Sequence, residues 1–175
     1  MKNNIIILFV SIFFLVAFKP LNGFEKQIIK EIEKTFLIND FSTASISVTN
    51  NLKNELPLNI TDSNFKKIIS NKNAIGYYYT GKAFGKVDYF DYLVIFNLNL
   101  SIKKIKILAY REDRGGEIGS KRWLKQFVGK THLNSFEYNK DIMGISGATI
   151  SAKSITNQLD KLMKTIQILQ LKKLL

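Results

Sequence analysis

An α+β domain, with a mainly antiparallel sheet and flanking helices, is the fold class the sequence predicts. Residues 74–80, 87–98 and 102–110 are rich in Tyr, Phe, Val and Ile, and turn formers separate them: Gly81 and Gly85, then Asn97-Leu98-Asn99. Apolar residues recur at helical spacing before that block, at Ile28, Ile29, Ile32 and Phe36. They do so again after it, at Ala152, Ile155, Leu159, Leu162, Ile166 and Leu169. The 175 residues, 46% of them hydrophobic, fit one packed domain.

The chain opens with Met1-Lys2-Asn3-Asn4, followed by residues 5–18, which are apolar apart from Ser11, and by Lys19-Pro20. That run is short for a membrane-spanning helix and has the form of a secretory signal, so residues 1–23 are expected to be a signal peptide or an uncleaved anchor. The sequence has no cysteine, which excludes a lipoprotein anchor, a disulfide framework and a cysteine nucleophile. With a single histidine, a structural zinc site is excluded too.

Residues 24–73 read as a helical and packing segment. The spacing predicts a helix over 24–37, closed by Asn39-Asp40. Ile46 and Val48 suggest a short strand, Asn50-Asn51, Asn54 and Pro57 suggest turns, and Asp62 or Ser63 is placed to cap a short helix carrying Phe65, Ile68 and Ile69. The three β-type runs that follow form a meander. In the last of them Ile105, Ile107 and Ala109 alternate with Lys104 and Lys106, which predicts one packed side and one partly wet side. Tyr77-Tyr78-Tyr79, Tyr89-Phe90 and Tyr92 are read as cross-strand packing.

The third strand leads into Arg111-Glu112-Asp113-Arg114-Gly115-Gly116-Glu117-Ile118-Gly119. Three glycines in five residues let backbone approach a flat ligand closely. Ser120 then caps a short helix with Trp123/Phe127 and Leu124/Val128 as apolar pairs, and Gly129 ends it. Further on, Ser146-Gly147-Ala148-Thr149-Ile150-Ser151 stands directly before the last long helical pattern. Hydroxyls there are positioned to cap the helix, and free N–H groups with the positive end of the helix dipole make a seat for phosphate.

Together, the Gly-rich loop and Ser146-Gly147-Ala148-Thr149 resemble the FMN-binding domain family. These are exported flavin carriers of the kind found in the C subunit of sodium-translocating NADH:quinone reductase and the G subunit of the Rnf complex. The resemblance implies that a dedicated flavin transferase esterifies Thr149 to the phosphate of FMN, with Ser146, Gly147, Ala148 and Ile150 as its context. It further implies that Glu112, Gly115, Gly116, Ile118 and Gly119 lie against the isoalloxazine ring, and that residues 74–175 are the FMN-binding domain. Two departures stand out. Met143 occupies a position where many members have aspartate, with Asp141 two residues earlier, and the Gly-rich loop is longer than the family's form.

On this resemblance the chain is an electron carrier on the periplasmic or outer side of the cytoplasmic membrane, without catalytic residues or a metal. Its implied partners are the flavin transferase and a membrane or extracytoplasmic redox protein. The alternative is an exported basic binding module on the same scaffold without flavin. The formal charge is +12, and +10 without residues 1–23, which favours anionic lipid or an acidic protein partner. Export argues against nucleic acid. A hydrolase would have to use His132, expected in an exposed loop, and no G-x-S-x-G turn accompanies it. Glu112, Asp113 and Glu117 lack the spacing of a calcium loop.

Overall fold

A computed structural model of the chain describes residues 23–175. The expected signal or anchor therefore lies, but for Gly23, outside the described residues. Among those described, no helix is long and apolar enough to cross a membrane. The elements run α1 (Gly23–Phe36), β1 (Ser42–Ser45), α2 (Asn50–Lys53), β2 (Phe65–Ser70), β3 (Asn73–Phe84), β4 (Tyr89–Asn97) and β5 (Ile102–Ala109). A 3-10 turn at Gly116–Gly119, α3 (Lys121–Leu124), a second 3-10 turn at Lys125–Phe127 and α4 (Thr149–Leu171) follow. The five strands form one antiparallel sheet in chain order, so the domain is α+β, as expected.

Helices cover both faces of that sheet. Ala152, Ile155, Leu159, Leu162, Ile166 and Leu169 of α4 pack with Tyr77, Tyr79, Tyr92, Val94, Phe96 and Ile105 in the main core. On the opposite face Ile28, Ile32 and Phe36 of α1 pack with Ile68, Tyr78, Leu93 and Ile95. Each fully buried Leu or Ile contributes about 1.5–3 kcal/mol, so these two helices supply much of what holds the sheet. β5 keeps the partly wet face expected for the meander, with Lys106 exposed and Lys104 half-buried. In central β4, residues 92–96 are buried without alternation because α1 and α4 lie on opposite sides of it.

Three local expectations are corrected. Phe65, Ile68 and Ile69 belong to strand β2, not to a capped helix. Asn64 and Thr61 bond each other's backbone N–H groups in a turn ahead of it, and Asn71 (φ 49°) and Lys72 (φ 65°) then reverse the chain into β3. Two left-handed residues in succession make the hairpin turn whose twist matches its strands. The first strand lies at Ser42–Ser45, just before Ile46 and Val48, which are buried beyond its end. α1 stops earlier than Asn39: Leu37 takes a left-handed conformation, and the Ile38 N–H returns to the Glu33 carbonyl.

Candidate functional site

The Gly-rich loop and the turn before α4, distant in sequence, are in contact. Ser120 does cap α3, accepting the Trp123 N–H at 3.4 Å. The Trp123 indole N–H donates to the Met143 carbonyl at 2.8 Å, and the Met143 N–H donates to the Gln126 side-chain oxygen Oε1 at 2.8 Å. These bonds tie the segment leading into the Ser146 turn to the helix following the loop.

Gly115 is the point of closest approach. Its φ is 88°, and a Cβ there would stand 2.6 Å from the Tyr110 hydroxyl, 3.3 Å from Ala148 Cβ and 3.3 Å from the Gly147 carbonyl oxygen. Gly147 itself has φ 81°, and a Cβ on it would lie 4.0 Å from Glu117 Oε2. Tyr110 joins the two segments from below. Its hydroxyl donates to the Arg114 carbonyl at 3.0 Å, which leaves its oxygen to accept the Ser151 hydroxyl proton, also at 3.0 Å. Sequence reasoning placed Tyr110 at a strand end and gave Glu117 and Ser151 no part in this junction. The signal for them is tertiary.

The start of α4 differs from expectation in one respect. The N-cap is Ala148, and it provides no side-chain cap. Gly147 turns the chain so that Ala148 is buried against the loop, while Ser146, Thr149 and Ile150 are exposed. Thr149 is the first residue of a 23-residue helix whose first-turn N–H groups no side chain caps. An exposed hydroxyl at that position fits a phosphoester: an anion there meets N–H donors and the positive end of the helix dipole, worth about 0.3–1 kcal/mol at an exposed site.

The other loop residues are divided between different surroundings. Gly116 is exposed, with no atom near the place of a Cβ. Ile118 is turned into the main core. A Cβ added to Gly119 would face β5, 3.9 Å from the Ile107 side chain. Glu112 reaches the β3–β4 hairpin, where its Oε1 accepts the Val87 N–H at 2.9 Å and the Asp88 N–H at 3.3 Å. The Val87 N–H, with smaller help from Asp88, holds this carboxyl below its usual pKa.

Asp141 is engaged elsewhere. Its carboxylate accepts the Glu137 N–H at 3.0 Å, and the Ser135 hydroxyl followed by that N–H lowers its pKa, so it braces the turn before Met143. Arg111 pairs with Asp91 and donates to the Tyr89 carbonyl, and among the described residues Arg114 has no acidic partner. One turn along α4 from Thr149, Lys153 and Asn157 line a hollow of about 400 Å3 with Tyr138 and Asp160. His132 is half-buried. No group of three or more metal-binding side chains occurs among the described residues. Burial pushes Tyr79 up to about 12 and raises Tyr92 further, so these core phenols stay protonated.

Residues 85–164 match the family model of the FMN-binding domain. The FMN-binding match takes in β4, β5, the Gly-rich loop, α3 and most of α4, and therefore every residue of the junction around Gly115 and Thr149. The match leaves out α1, β1, α2, β2 and β3, although these three strands belong to the same sheet. No curated protein matches the chain.

Proposed function

We propose that the chain carries FMN covalently, through a phosphoester to the Thr149 hydroxyl, and serves as an electron-transfer carrier outside the cytoplasmic membrane. The observation that carries the reading is exposed Thr149 at a helix start without a side-chain cap, directly after the Gly147-Ala148 turn that packs on Gly115, within the FMN-binding match. In the attachment step Thr149 Oγ1 bonds to the FMN phosphorus, its proton leaves, and the transferase's flavin donor loses the group it had on that phosphate. The helix's first N–H groups then hold the phosphate oxygens. When bound, FMN supplies reversible electron and proton transfer, and the chain supplies orientation and electrostatics.

Each neighbour has a separate duty. Ser146, Gly147 and Ala148 present the hydroxyl to the transferase, and Ala148 fixes the turn by its burial against Gly115. Gly116 leaves open backbone for a planar ring, and Arg114 offers a positive charge at the rim. Covalent attachment matters most outside the cytoplasm, where a dissociated cofactor is not readily regained. Residues 1–23 are proposed to direct that export.

The test is intact-mass analysis of protein exported from cells that also make a flavin transferase. The wild-type chain should be yellow and heavier by FMN less water, and Thr149→Ala should lose both properties while keeping the unfolding midpoint. Colourless, unmodified wild-type protein would overturn the reading in favour of a binding module without flavin.

A further inference from the structure

Among the described residues the sheet ends at β5, and no further strand pairs with its outer edge. Within the same residues, backbone bonds reach that edge at Ile102, whose N–H donates to the Lys130 carbonyl at 2.9 Å and whose carbonyl accepts the Gly129 N–H at 2.7 Å. Among the described residues, no backbone bond crosses the outer side of residues 103–109. Unpaired strand groups of this kind are a template for another chain.

That edge is also the floor of a groove. A hollow of about 390 Å3 runs between the end of α1 and the α3 region, with Ile105, Leu124 and Val128 giving apolar surface. Five lysines line it, Lys34, Lys104, Lys106, Lys121 and Lys125, against a single carboxylate, Glu31. Glu31 is already shared between Lys104 at 2.6 Å and Lys106 at 2.9 Å. Lys34, Lys121 and Lys125 have no acidic partner among the described residues. Gly119 lies in the same wall, where its missing side chain leaves the strand edge approachable.

We infer that this groove receives an extended acidic segment of a partner protein, which adds to β5 as a sixth strand. Main-chain bonds to residues 103–109 would provide attachment. Carboxylates on one side of the incoming strand would meet the lysines, and apolar residues on its other side would meet Ile105, Leu124 and Val128. Anionic lipid is disfavoured because the lysines flank a recessed strand edge, which a bilayer surface cannot enter. Lysines also protect edges from self-association, and the same charges that repel a basic copy of this chain select an acidic visitor.

The probe is a short fluorescent peptide alternating Glu and Val, titrated into the full chain at low ionic strength. It should bind, and amide exchange should slow at alternate positions within residues 103–109. The same peptide with Lys for Glu should not bind, nor should a copy N-methylated at alternate backbone positions. The variant Lys34→Glu/Lys121→Glu/Lys125→Glu should bind roughly tenfold more weakly, the loss of three exposed charge pairs. Neutral Lys121→Ala/Lys125→Ala reads the same effect should the triple variant fold poorly. Binding that tolerates backbone methylation, or leaves exchange at β5 unchanged, overturns the inference. Lysine-dependent binding to phosphatidylserine vesicles without peptide binding overturns it in favour of a lipid surface.

Discussion

Substituting Gly115 with alanine tests the contact on which the candidate site depends. The added Cβ would stand 2.6 Å from the Tyr110 hydroxyl and 3.3 Å from both Ala148 Cβ and the Gly147 carbonyl, at a φ of 88°. The left-handed backbone alone costs an L-residue about 1–2 kcal/mol. Overpacking adds about 1–3 kcal/mol, because two of the three neighbours belong to the helix-start turn and cannot swing away. Gly115→Ala should thus lose about 2–5 kcal/mol, readable as a lower urea midpoint with an unchanged slope. Tyr110→Phe removes the nearest clashing atom at the loss of hydrogen bonds worth about 0.5–1.5 kcal/mol each. The double variant should therefore be more stable than additivity predicts, by about 1 kcal/mol or more. Midpoints within about 0.5 kcal/mol of wild type for Gly115→Ala would refute the packing argument. So would strict additivity with Tyr110→Phe.

Other outcomes follow from single contacts. Buried Thr165 accepts the half-buried Leu58 N–H on its Oγ1 at 3.1 Å, so Thr165→Val should lower stability by about 1–3 kcal/mol in urea unfolding by stranding that donor. Burial pushes the Glu31 pKa up, but Lys104 and Lys106 outweigh it and leave the carboxyl below its ordinary value. A depressed folded pKa stabilises above the unfolded value and ceases to do so as pH falls through the folded one. The stability gap between wild type and Glu31→Gln should therefore be full at neutral pH and close below the usual carboxylate range, as checked by urea midpoints along a pH series. Glu112→Ala should speed amide exchange at Val87 and Asp88 while leaving the global midpoint unchanged, since these exposed bonds hold only the hairpin tip.

Much of the architecture was legible in the pattern of residues. The three aromatic and β-branched runs became β3, β4 and β5, and the three-and-four spacing from Ala152 became the buried face of α4. Ser120 and Gly129 marked the ends they were expected to mark. These features are local: a strand's alternation, a helix's period and a cap's hydroxyl act over a few residues and write themselves into the sequence. Where local signals conflicted, tertiary pairing won. Phe65, Ile68 and Ile69 fit a short helix as well as a strand until β3 offered them a partner, and Asn71 and Lys72 form a hairpin turn without the glycine that would announce it.

By itself, then, the sequence determined the α+β class, the last three strands and the long helices on either side of them, the Gly-rich loop and the hydroxyl-bearing turn ahead of α4. Only the tertiary structure decided that Gly115 packs on Ala148, that Tyr110 and Ser151 join the two segments, and that Ile118 enters the main core while Gly119 lies against β5. It also set the lysines of α1, β5 and α3 around one open strand edge. The physical reason is that contacts between residues far apart in the chain depend on how the sheet is covered on both faces, and no periodicity within a single segment encodes that.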